Sequence, residues 1–333
     1  HIQISIRMAG LNQLKSVIAS FPIDKPFIED FLLPIVLYFL NCATSANNKA
    51  HNLTTEAISV LSVLVQKISW NQYLKLIKIY INNSHLLYDE GLKLHKLRTR
   101  VLSAILENFS FQISETPSST CVARAEVVNL VQQLVTRLYS KPIGEENKEL
   151  VPSFTELNYS IIKAPLSLVI IHLLKLLNDS TINSHVRGII SYLVEMLASP
   201  HKDMRISARS VLAKSVKILG PGYFKIVLNE MYVTLKDGFQ KHVFTYTAHH
   251  IMSSLSSSFS EDINASMGIL IEAVISDHFG AAYEERQVHA ITSKTKEAYT
   301  GKGFNISQFL GSHVQHEKIY NFLSAFSKLN TVM

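Results

Sequence analysis

Apolar residues recur at steps of three and four along most of this chain, and the clearest case runs from Leu219 to Leu255. Tyr223, Ile226, Val227, Met231, Val233 and Leu235 largely keep that spacing, which lays a stripe along one side of a helix. Gly220-Pro221 ahead of it stops one helix and starts the next, since glycine accepts a left-handed backbone after a C-terminus and proline is tolerated in a first turn. Asp237-Gly238 breaks the helix, and Phe239, Val243, Tyr246, Ile251 and Leu255 resume the stripe on a second one. Two antiparallel helices of this kind still expose apolar surface that a neighbouring pair must cover, and stacked repetition is the natural solution.

The same reading predicts helices over Ile2–Ser20, Phe27–Leu40, Leu53–Ser69, Asn71–Ile81, Tyr88–Phe109, Cys121–Tyr139, Ile161–Leu177, Ile182–Ala198, Lys202–Leu219, Gly222–Lys236, Phe239–Ser256, Asn264–Phe279, Tyr283–Tyr299 and from Ser307 onward. That is roughly fourteen helices, or about seven pairs, with short connections that suit antiparallel neighbours. Loops near 41–52, 112–120 and 141–159 are the exceptions. An apolar residue, Arg, two residues and then a small or apolar residue recurs at Ile6-Arg7 with Gly10, Leu97-Arg98 with Val101, Val186-Arg187 with Ile190, and Met204-Arg205 with Ala208. The pattern looks like the second helix of a HEAT repeat, though its spacing along the chain is irregular. The fold expected is all-α, a HEAT-like α-solenoid of stacked antiparallel helix pairs. Residues 1–333 then form a single solenoid, read as a fragment of a longer chain because no initiator Met is present and His1 to Ile18 reads as a helix in progress.

Composition agrees with helices, at 47% hydrophobic residues with only 12 Gly and 9 Pro in 333. The most apolar segments, Phe31–Leu40 and Ala164–Leu177, fall short of the roughly 18 to 20 uninterrupted apolar residues a bilayer requires, and the second carries His172 and Lys175, so no membrane partner is expected. Cys42 and Cys121 are the only cysteines, too few for a disulfide framework or a zinc site built on cysteine pairs, and a reducing compartment is the default. The net charge of +6 and pI near 9.1 suit an acidic partner such as RNA.

Catalytic chemistry finds little to stand on. Gly301-Lys302-Gly303 lacks both the Walker spacing and a preceding strand, and reads as a turn. A nucleophile elbow and the helical two-histidine zinc motif are missing from the sequence. His313 and His316 share a helical face but read as solvated histidines among 14. Tyr246 and His249 follow His242 by four and seven residues, with His250 alongside, and read as a buried hydrogen-bonded layer. No catalytic, cofactor-binding or metal-binding residue is assigned, and no small-molecule substrate is expected. Two basic rows remain. At about 100° per residue, Lys93, Lys96 and Arg100 fall within roughly 60° of one another, as do Lys202, Arg205 and Arg209. Either row suits RNA phosphates, which release counterions without any base being read. The competing reading is a solvated charged face, with Arg205 bridging adjacent repeats instead.

Leu219-Gly220-Pro221, Gly238-Phe239-Gln240, His242-Val243, Tyr246-Thr247 and His249 together resemble the very large HEAT-repeat scaffold family of the small-subunit processome, also called "down-regulated in metastasis". The family pattern has a basic residue where Asp237 stands and tyrosine where Phe239 stands. Ala282–Ala298 looks like the acidic-then-basic helix that follows in the same family. The resemblance implies a nucleolar, non-catalytic scaffold of early ribosome assembly that bridges pre-ribosomal RNA, a small nucleolar RNP and other assembly factors within one large assembly. A nuclear transport receptor or general HEAT-repeat adaptor is the alternative, and the charge of +6 leans against it. An enzyme with its active site elsewhere in a longer chain is a third possibility.

Overall fold

The computed structural model describes residues 2–42, 51–82, 89–114, 121–140, 154–177, 179–236, 238–255, 260–288, 295–313, 320 and 323–324. They fall into two compact units, 1–177 and 178–333. Helices account for nearly all the described structure, so the fold is all-α. Among the described residues, no helix is long and apolar enough to cross a membrane.

In the first unit, α1 is Ile2–Ser20; α2, Lys25–Phe27, passes through a π-helical turn at Ile28–Leu32 into α3, Leu33–Cys42. Then come α4 His51–Leu64, α5 Trp70–Asn82, α6 Asp89–Glu107, strands β1 Gln112–Ser114 and β2 Cys121–Ala123, α7 Arg124–Tyr139 and α8 Phe154–Lys175. Helix α4 packs on α1 and α3, α6 on α4 and α5, and α8 on α6 and α7. Leu61, Leu64, Val101, Ile105, Val169 and Ile170 form part of the core along these seams.

Two expectations shift here. Residues 121–123 are not helical: they pair in parallel with 112–114, Gln112 opposite Cys121, and the helix begins at Arg124. Helix α8 begins seven residues before Ile161 and runs through Pro165, whose ring nitrogen offers no hydrogen to the Ile161 carbonyl. The first two turns of α8 carry too polar a pattern to show a stripe. Residues 43–50, 115–120 and 141–153, the larger part of each of the three expected loops, lie outside the described residues.

The second unit contains α9 Asp179–Ala198, α10 Lys202–Leu219, α11 Tyr223–Thr234, α12 Phe239–Ser254, α13 Ser260–Phe279, α14 Ala281–Arg286, α15 Lys296–Tyr299 and α16 Gly303–His313. Helices α9, α11 and α13 pack one on the next in a first layer; α10 and α12 pack together in a second, and α15 and α16 also lie against α12. Gly220 sits at the α10–α11 corner with φ 109° and ψ 162°, a conformation nearly closed to residues with a Cβ. The turn read from Leu219-Gly220-Pro221 is therefore present, and its glycine is required.

The core face of α11 is rotated from the expected stripe. Phe224, Val227, Leu228 and Met231, with Leu235 just past the helix, are buried, whereas Val233 is 62% exposed. Helix α12 has no single apolar side, because α9, α10, α11, α13, α14, α15 and α16 all touch it, and His242 to Thr245, Thr247, Ala248, Ile251 and Met252 are all buried. The predicted helix Tyr283–Tyr299 is not continuous: α14 ends at Arg286, α15 begins at Lys296, and residues 289–294 lie outside those described. The last helix begins at Gly303 rather than Ser307.

Candidate nucleic-acid interface

Lys202 and Arg209 differ by roughly 20° in azimuth on an ideal helix, with Arg205 about 60° away, so the row drawn from the sequence is geometrically real. Height along the axis separates them. Lys202 stands exposed at the first turn of α10, whereas Arg205 and Arg209 sit one and two turns further, where α12 and α15 cover the helix. Arg205 and Arg209 are thus not surface members of a basic row, a correction that follows from packing rather than periodicity.

Both arginines converge on Glu297 of α15. Arg205 Nε and Nη2 each donate to the carboxylate at 3.1 Å, and Arg209 Nη2 donates at 2.6 Å. Arg205 Nη1 also donates to the Ser199 and Pro200 carbonyls at 3.1 and 2.8 Å, which caps the chain as it leaves α9. Arg209 Nε donates to Thr247 Oγ1 at 3.2 Å, and its guanidinium lies 4.5 Å from the Tyr246 ring centroid. Burial alone would raise the Glu297 pKa, but hydrogen bonds from Arg205 and Arg209 outweigh it and hold the carboxyl at about 2. Glu297 thus stays ionised at neutral pH, and the cluster ties α9, α10, α12 and α15 together. Arg205 therefore bridges elements, as the competing reading allowed.

A cavity of about 270 Å³ opens beside the cluster, lined by Lys202, Arg209, Ser210, Tyr246, His250 and Lys296 among others. Lys202 and Lys296 are exposed at it. The pKa of His250 is lowered, by partial burial first and by Arg209 second. Lys296 and Glu297 carry no signal in the sequence alone, since a pairing across 92 positions leaves no periodic trace.

The other basic row lies on α6. Lys96 is exposed, and Arg100 is partly exposed, its Nη2 donating to Thr55 Oγ1 at 3.2 Å. The side chain of Lys93 lies outside the described residues. Lys96 and Arg100 line a cavity of about 540 Å³ among α4, α6 and α8, together with Thr99 and Ser103, whose buried hydroxyls have no hydrogen-bond partner among the described residues. This row remains a surface feature, with polar groups behind it.

The histidines divide. His242 is buried with Nε2 3.3 Å from Glu285 Oε2, and among the described residues neither ring nitrogen makes a hydrogen bond of good geometry. His249 approaches Ser253 Oγ at 3.4 Å and Tyr246 covers Arg209, so the expected layer is not one network. His313 Nδ1 lies 2.9 Å from the Phe309 carbonyl, and His316 lies outside the described residues. Among the described residues, no group of three His, Cys, Asp or Glu is placed to hold a metal ion. Gly303 N donates to Asp277 Oδ2 at 2.7 Å, and a Cβ at Gly303 would collide with that carboxylate, so the glycine serves close approach at a turn.

The family model described as the U3 small nucleolar RNA-associated protein 20 domain matches residues 154–332, more than half of the chain. Two relatives are similar along its whole length. U3 small nucleolar RNA-associated protein 20 of Saccharomyces cerevisiae is 23% identical over 335 residues, covering 99% of this chain. Its namesake in Schizosaccharomyces pombe is 23% identical over 346 residues, covering 100%. The chain spans 13% of the length of each.

Proposed function

This chain belongs to the U3 small nucleolar RNA-associated protein 20 family, and from that premise we propose that it is one stretch of a HEAT-like α-solenoid that holds RNA and protein partners together during small-ribosomal-subunit assembly in the nucleolus. The partners are pre-ribosomal RNA, a small nucleolar RNP, in keeping with the U3 small nucleolar RNA that its relatives are named for, and other assembly factors. The scaffold is non-catalytic.

The observation that carries this reading, beside family membership, is how the second unit spends its buried charge. Arg205, Arg209 and Glu297 satisfy one another and fix four helices, and that is the investment of a rigid support. The order α9, α11, α13 in one layer and α10, α12 in another is what a solenoid requires, each pair covering the apolar face of the next. Exposed cations at Lys96 and Lys202, with net charge +6, give such a support an affinity for phosphate backbones.

The test is sedimentation. The parent protein should travel with pre-ribosomal particles and leave them when salt is raised. Enrichment at the nuclear envelope, or binding to a small GTPase, would instead establish the transport-receptor alternative.

A further inference from the structure

Two guanidiniums share one carboxylate in the Arg205–Glu297–Arg209 cluster, so one positive charge is left over where water scarcely reaches. Among the described residues, the other partners of these arginines are the Thr247 hydroxyl, the Ser199 and Pro200 carbonyls, and the Phe239 and Tyr246 rings at 5.6 and 4.5 Å, none of which carries a negative charge. An uncompensated buried charge is costly, and an anion within reach relieves it. Arg209 lines the one described cavity at this cluster, and Lys202 and Lys296 line it too, from α10 and α15. Ser210 and His250 add further donors, and Glu297 also belongs to the lining, where Arg205 and Arg209 already pair with its carboxylate.

We propose that this cavity seats a backbone phosphate of RNA, with Arg209 behind it and Lys202, Lys296, Ser210 and His250 around it. The inference rests on the RNA-holding role above and deepens it by naming the site. A volume of about 270 Å³ takes one phosphate group and part of its ribose, and is too small for a folded element. Lys202 and Lys296 stand on different helices, so each is available to a neighbouring phosphate of the same chain, which a single phosphoserine would not supply. Ile206, 45% exposed at the lip, offers apolar surface to a sugar or base. Arg205 and Arg209 then act on RNA from inside, as the buried source of the field, rather than as fingers on its surface.

The experiment measures binding of a labelled single-stranded RNA to the chain against salt, for the wild type, for Lys202→Ala with Lys296→Ala, and for Lys217→Ala with Lys225→Ala as an exposed charge-matched control on α10 and α11. The double variant should bind about tenfold more weakly, with a salt slope shallower by about 1.4, the value for two phosphate contacts on a single strand. The control pair should stay within about twofold of wild type. Both changed lysines are exposed, and an unchanged thermal midpoint confirms folding. In wild type, the His250 ring resonances, assigned with His250→Asn, should titrate at higher pH once RNA or inorganic phosphate is added. Wild-type binding with an unaltered slope in the double variant would overturn the site and leave the RNA-holding role intact. Failure of wild type to bind any RNA would remove that role and the site with it. A phosphopeptide that moves His250 while RNA does not would reassign the cavity to a protein partner.

Discussion

Arg205 Nη2 lies 3.1 Å from Glu297 Oε2, joining α10 to α15 across 92 positions, with both side chains almost wholly buried. Removing the carboxylate while keeping its shape leaves two guanidiniums facing one another in the interior. Glu297→Gln should therefore destabilise the chain by about 3 to 5 kcal/mol, the range for breaking one side of a buried pair. Urea unfolding reads it directly, and a loss under about 1 kcal/mol would mean that the cluster holds nothing together.

Gly220 tests the turn by itself. Nothing lies within 4 Å of where its Cβ would sit, so any cost of Gly220→Ala comes from backbone alone. At φ 109° that cost should be about 1 to 3 kcal/mol, read as a lower unfolding midpoint. Gly268→Ala, mid-helix with equally open space, makes the comparison, and should be neutral or slightly stabilising.

The contrast between Gly220 and Glu297 explains what the sequence made legible. Turn chemistry is local, so Leu219-Gly220-Pro221 and Gly238 placed α11 and α12 to within two residues of their observed ends. The family resemblance rested on the same short segment and agrees with the family matched over 154–332. Which face of a helix is buried was less readable. Phe224 and Leu228, not Tyr223 and Ile226, point into the core, since flanking residues on a mixed helix satisfy more than one stripe. Helix α12 defeated the stripe reading altogether because its neighbours surround it. Spacing located Lys202, Arg205 and Arg209 on one side of α10, but nothing in one helix tells which turns another will cover.

Trp70 is the chain's single tryptophan and lies among Tyr73, Phe109 and Phe111, with ring centroids 5.2 to 6.2 Å away. The buried Tyr73 hydroxyl donates to the Ile105 carbonyl at 3.0 Å, and burial raises its pKa. Tyr73→Phe keeps the ring and removes that bond, so stability should fall by about 1 kcal/mol, followed through Trp70 fluorescence. Tyr73→Ala also removes the ring packing and should cost about 3 to 5 kcal/mol.

His242 and Glu297 predict two separate losses of stability on acidification. Burial lowers the His242 pKa below its ordinary 6.5; Glu285 opposes that, Arg286 adds to it, and Asp277 opposes it again. Below 6.5 the unfolded chain takes up a proton that the folded chain refuses, so this contribution is complete above 6.5 and declines as the pH falls through the folded value. Glu297 keeps its charge down to about 2 in the fold against 4.5 when exposed, so its contribution is complete above 4.5 and is lost as the pH falls from there toward 2. Urea midpoints measured between pH 8 and 3 should therefore fall in two steps. His249 and His250, whose pKa values burial also lowers, share the upper step, so His242→Gln should shrink it and spare the lower, and Glu297→Gln should remove the lower and spare the upper. A wild-type midpoint that stays level from pH 7.5 to 5, or an upper step that His242→Gln leaves at full size, would show that the burial of His242 does not couple this fold to pH.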